Sequence, residues 1–139
     1  YMNMHMLSMC LSILKIQGNK MQISAAGMPP ALLYRNKTKS VEEIILKGMP
    51  LGAVQDFPYE LRQTEIYSGD TILLMSDGFP EMFNKDKELF GYERVIETYQ
   101  QAADKNPEEI VRKLKNAGSE WSQSDTPDDD ITFVVIEVK

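Results

Sequence analysis

The chain has 139 residues, 42% of them hydrophobic, which fits one compact domain over residues 1–139 with a sizeable core. A net charge of -6 with no basic block argues against nucleic-acid binding. No apolar stretch is long enough to cross a bilayer and no signal peptide is visible; the single cysteine, Cys10, excludes an internal disulfide and suits a reducing, cytoplasmic compartment. In chain order, a strand rich in Met and Leu is predicted over residues 6–16. A Gly18-Asn19 turn then leads into a second strand over 20–26, the pattern of a hairpin. Gly27, Pro29 and Pro30 break regular structure, and a short strand over 31–35 follows. Further strands are expected over 41–46, 59–66 and 70–76, the last two joined by a tight turn at Ser68-Gly69-Asp70.

Helices come late. Tyr92, Val95, Ile96 and Tyr99 fall on one helical face. The next helix has a written start: Asn106 as N-cap, Pro107 at the first helical position, Glu109 placed for a capping box. Ile110, Leu114, Ala117 and Trp121 form its apolar stripe. Residues 125–130 read as a loop and 131–138 as a final apolar strand. Strands follow one another rather than alternating with helices, so the expected class is α+β, an antiparallel sheet with helices on a face.

The chemistry concentrates at two acidic places. TILLM, residues 71–75, reads as a strand buried on both faces, and it runs into SDGFPEMFN with Asp77 and Gly78 at its end. A carboxylate at a core edge is costly unless something pairs with it. Asp128, Asp129 and Asp130 stand just before the last apolar strand. If these two strands are antiparallel neighbours, Asp77 and the three aspartates meet at one sheet edge. Like charges ~4 Å apart interact by ~4 kcal/mol at an effective dielectric of ~20, so the cluster calls for a cation or shifted protonation. An oxygen-only donor set suits Mg²⁺, Mn²⁺ or Ca²⁺ rather than zinc.

Five segments, AAGMPPALLYR (25–35), KGMPLGA (47–53), SGDTILLMSDGFPEMFN (68–84), ELFGYERV (88–95) and DDDITFVVIEV (128–138), stand in an order and spacing that resembles the C-terminal part of a SpoIIE-like phosphatase, a bacterial branch of the metal-dependent PPM serine/threonine phosphatases. The resemblance implies a four-layer α-β-β-α sandwich with antiparallel sheets, here incomplete at the N-terminus. It implies two Mn²⁺ or Mg²⁺ ions that activate water for attack on a phosphoserine or phosphothreonine. Matched residue by residue, Asp77 and Asp129 are the metal ligands. Asp130 and Gly78 support them, Gly78 by keeping a side chain away from the metal edge. The expected partner is a phosphorylated regulatory protein such as an anti-sigma-factor antagonist, with a sensory or receiver module upstream in a parent that is free to carry a membrane anchor.

One departure stands out. The family's first metal motif is an upstream acidic Gly-Asp segment, and the first acid here is Glu42. The chain, which opens on Tyr1, is therefore expected to be a fragment with about half of the metal shell, weakly active or inactive by itself. A sheet edge left unpaired would invite homodimerisation.

Two rival readings remain: a catalytically silent phosphatase-like module that binds protein, and a soft-metal (copper) site built from Met2, Met4, His5, Met6, Met9 and Cys10. Blander readings also stand. Asp77 could cap a short helix over 78–83, the Met-rich segment could be core filler, and Cys10 could be a buried core residue.

Overall fold

The computed structural model describes residues 7–124 and 126–139, which form seven strands and two helices in two compact units. Among the described residues no helix is long and apolar enough to cross a membrane.

The first unit takes in the chain up to Pro30 and the segment Ile45–Ile66. Its antiparallel sheet has the order β1 (Leu11–Gln17), β2 (Lys20–Ala26), β5 (Arg62–Glu65). β1 and β2 are joined by the expected two-residue turn, with Gln17 opposite Lys20. Every second residue of β2, Met21, Ile23 and Ala25, is buried, as the two-residue period of a strand requires. β1 is shorter than expected. Met9 makes only an isolated bridge, exchanging backbone bonds of 3.0 and 2.8 Å with Leu51. β5 is shorter too, because Tyr59 is engaged in a local turn through Tyr59 N–H to Phe57 O (3.0 Å) and Tyr59 Oη to Met49 O (2.8 Å). Cys10, expected in the core, is exposed: it lies outside the ladder, beside the loop holding Gly27 and Pro50.

The second unit comprises Ala31–Ile44 and Tyr67–Lys139. Its sheet has the order β4 (Ser40–Ile44), β3 (Ala31–Arg35), β6 (Thr71–Met75), β7 (Phe133–Glu137), every pairing antiparallel. Helices α1 (Gly91–Ala102) and α2 (Pro107–Ser122) share a core with it. Leu32, Tyr34, Leu73 and Met75 enter that core from alternate sheet positions, and Val95, Tyr99, Ile110 and Leu114 from the helices. Leu33 and Ile72, which point the other way, are fully buried as well, so β6 is apolar on both faces as the TILLM run predicts. β7 differs from expectation. It is the outer strand of the order, and Val134 is 46% exposed.

α2 starts as its sequence dictates. Asn106 is extended, its side chain accepts the Glu109 N–H at 2.9 Å, and Pro107 fills the first helical position. Trp121 is half-buried rather than fully buried. Its ring meets Phe90 edge-on at 5.9 Å, Arg94 lies 4.2 Å above it, and Nε1 donates to Glu88 O at 3.3 Å.

Candidate metal centre

The site is built where β6 ends and β7 begins. Met75 pairs with Phe133, and the ladder is then continued by a side chain. Ser76 N–H donates to Thr132 O at 3.0 Å, Thr132 N–H donates to Ser76 Oγ at 2.9 Å, and Ser76 Oγ donates to Asp130 O at 3.0 Å. Ser76 thus clamps the acidic loop to the end of β6, which explains why β7 starts at Phe133 and not at residue 131. Sequence reasoning passed over Ser76; its place directly before Asp-Gly was the available signal.

Gly78 sits against this loop. A Cβ there would lie 2.5 Å from Asp130 O and 3.5 Å from the Asp129 carbonyl carbon. Its φ is not positive, so what the position demands is room for the Asp130 carbonyl, rather than the freedom to turn. The two strands are antiparallel neighbours as expected, and the register brings Gly78 against the backbone of Asp129-Asp130.

The carboxylates differ from expectation in one respect. Asp77, Asp128, Asp129 and Asp130 are all exposed, so no core desolvation cost attaches to Asp77. Asp77 heads a turn, not a short helix: its carbonyl accepts from Glu81 N–H at 3.1 Å, and Met82 N–H bonds to Phe79 O. Asp129 Oδ1 accepts the Asp130 N–H at 2.8 Å, which leaves its other oxygen toward solvent or a ligand. Tyr92 of α1, 38% exposed, lies within electrostatic reach of this edge. Burial, and then the nearby Glu81 and Asp77 carboxylates, hold its phenol above the usual tyrosine range. The helical period marks Tyr92 as a core-face residue, but the structure exposes it, and only Val95, Tyr99 and Ala102 of α1 are buried.

The donor chemistry suits a hard divalent cation, since Asp77 and Asp129 offer oxygen only. Among the described residues, no three His, Cys, Asp or Glu side chains converge closely enough to cage an ion. The two aspartates by themselves therefore do not make up a cation shell, and other oxygens would have to complete one. Of the soft-ligand cluster, Met2, Met4, His5 and Met6 lie outside the described residues, and Met9 and Cys10 are exposed.

Among the described residues, the buried acid of this unit is a different one. Asp70 is 2% exposed; Oδ2 accepts from Arg35 Nη1 at 3.2 Å and from Tyr67 N–H at 3.0 Å, and Oδ1 from Asn36 N–H at 3.0 Å. It is fully partnered and ties together the two turns that flank β3 and β6.

The whole chain, residues 1–139, matches the family profile of Stage II sporulation protein E (SpoIIE). The chain belongs to the SpoIIE family. It is 25% identical over 134 residues to Stage II sporulation protein E of Bacillus subtilis (strain 168), covering 92% of this chain and 15% of that protein. It is 34% identical over 58 residues to the phosphoserine phosphatase RsbU of the same organism, covering 42% of this chain and 17% of that one. The phosphatase domain of SpoIIE from Bacillus subtilis, solved from Mn-presoaked material, superposes with a TM-score of 0.71 at 21% identity, over 99% of this chain and 59% of that domain. The SpoIIE-family chain thus has the α+β fold of a PPM phosphatase domain, with two antiparallel sheets and two helices, and spans little more than half of the solved domain's length.

Proposed function

We propose that this SpoIIE-family chain is part of a protein serine/threonine phosphatase that removes phosphate from a regulatory protein and depends on Mn²⁺ or Mg²⁺. The observation that carries this reading is the β6–β7 register, which sets Gly78 against the backbone of Asp129-Asp130. The relatives add weight: one is named a phosphoserine phosphatase, and the solved SpoIIE domain was soaked in manganese.

Asp77 and Asp129 would hold the cation, with Asp130 beside them. Divalent ions bound there supply an activated water and neutralise the phosphate. The chain's own part is positional. Ser76 fixes the loop height against β6, Gly78 leaves space for the Asp130 carbonyl, and the Asp130 N–H orients the Asp129 carboxylate. The exposed, unpaired Cys10 suits a reducing, cytoplasmic setting.

The test is hydrolysis of a phosphoserine peptide with Mn²⁺, by this chain and by one extended upstream. We expect turnover by the extended chain that EDTA removes and that Asp77→Asn lowers by at least about 100-fold, because even groups that only orient metal ligands cost 10–100-fold. The 139-residue chain should be much slower, since two carboxylates leave most of about six oxygen positions to water. Robust turnover indifferent to Asp77→Asn would place the chemistry elsewhere. The absence of a three-ligand cluster among the described residues favours a second reading, a silent module that binds phosphoprotein. Inactivity of both chains alongside retained binding of the phosphopeptide would select it.

A further inference from the structure

Within the second unit, residues of α2 and of the β6 and β7 ends line an open cavity of about 530 Å³, inside the range of ligand pockets. Its floor is apolar: Phe79, Met82, Ile131 and Phe133. Its rim is polar and includes Lys115 and Ser119, both exposed on α2. Gly118 stands between floor and rim. A Cβ there would lie 3.0 Å from the Phe79 ring and 3.2 Å from Met82, so glycine lets α2 approach the floor closely. Glycine inside a helix is less favourable than alanine, and the close approach is the reason to accept it. Asp130 lines this cavity and also belongs to the acidic loop at the end of β6. The cavity and the candidate metal centre therefore share a residue.

We propose that this cavity docks an apolar side chain of the protein substrate, one to three residues from the phosphorylated serine, with an acidic neighbour paired to Lys115. The proposal rests on the phosphatase reading for what occupies the acidic edge. Three observations select this occupant. An extended peptide advances about 3.3–3.6 Å per residue, so a phosphoserine at the acidic loop brings its near neighbours to the adjoining cavity. The floor offers aromatic and aliphatic surface without a buried charge. Lys115 is a cation at the mouth of the cavity, and an acidic neighbour beside it would be paired locally against the chain's net charge of -6.

The test uses synthetic decapeptides with one phosphoserine in a Gly/Ser background. A single Leu is walked from three residues before to three residues after it, with or without an adjacent Asp. Binding to the full chain is read by fluorescence polarisation with Mn²⁺ present. One Leu register should bind roughly tenfold tighter than its Ala counterpart, the usual worth of a filled apolar subsite. Ser119→Trp, which fills the cavity from an exposed position, should reduce that preference to below about twofold. Lys115→Glu should remove the advantage of the adjacent Asp while leaving the Leu preference in place. The unphosphorylated peptides should keep the Leu preference at lower overall affinity, which separates docking from the metal chemistry: loss of Asp77-dependent hydrolysis would leave this result standing. Equal binding of all Leu registers, or a Leu preference that survives Ser119→Trp, overturns the proposal.

Discussion

Asp70 and Asp77 flank the same strand and meet opposite fates, the first in the interior and the second in solvent. Asp70 can be buried because three donors reach it and one is a guanidinium. That arrangement also favours the charged guanidinium: hydrogen bonds and charge from Glu42 and Asp70 outweigh partial burial and hold Arg35 above its ordinary value. Asp70→Ala removes the acceptor of three hydrogen bonds at a buried position and leaves Arg35 with Glu42 as its carboxylate partner, so it should cost about 3 kcal/mol, measured as a lowered urea midpoint at unchanged slope. Tyr99 makes a second residue-scale prediction. It is fully buried, with Oη 2.7 Å from Thr71 Oγ1, and burial pushes its phenol far above the ordinary value near 10. In the unfolded chain Tyr99 loses its proton near pH 10; in the folded chain it keeps it. Above that pH the folded state binds more protons, so the stabilising contribution is complete below pH 10 and is lost as pH rises beyond it. Urea midpoints taken between pH 8 and pH 11 should fall, and fall less in Tyr99→Phe. Equal slopes for the two proteins would refute the assignment.

At the scale of elements, α2 owes its start to local chemistry and its end to its neighbours. The Asn106 cap and Pro107 act within one turn. Trp121, in the last turn, is held by Phe90, Arg94 and the Glu88 carbonyl, all from outside the helix. Full burial of a tryptophan would put Trp121→Ala at 3–5 kcal/mol. Half-burial, with one aromatic contact and one cation–π contact, lowers the expectation to about 2 kcal/mol, read by chemical denaturation. A cost below about 0.5 kcal/mol would mean that the helix end contributes nothing to the core.

For the whole molecule, an unpaired sheet edge bears on association. Among the described residues, β1 pairs on one side only, and Leu11, Ile13 and Ile16 on it are exposed, Ile13 by 61%. An outer strand with apolar side chains and free backbone groups favours pairing with another chain. We therefore expect this chain to self-associate with concentration in sedimentation velocity, and Ile13→Lys to shift it toward monomer. A chain that stays monomeric at high concentration before any substitution would show the edge to be covered.

The elements were largely written in the sequence by itself. Residues 20–26 and 31–35 are strands with the predicted bounds, the TILLM run is a buried central strand, and α2 begins at its cap. These signals are local: a turn pair, a two-residue alternation, a cap three residues from its donor. The acids at the end of β6 and the start of β7 were legible for the same reason, as interruptions of apolar runs. Only the tertiary structure could decide what lies across from them. The Ser76 clamp joins residues 56 positions apart, and the Asp70–Arg35 pair joins residues 35 apart. Nothing near Asp70 in the chain marks it as buried, and nothing near Gly78 shows that its missing Cβ makes room for a carbonyl of the distant acidic loop. The edge position of β7 and the exposure of Tyr92 belong to the same class. Burial and register are set by distant partners, whereas propensity, capping and alternation are set by neighbours, and a single sequence displays only the neighbours.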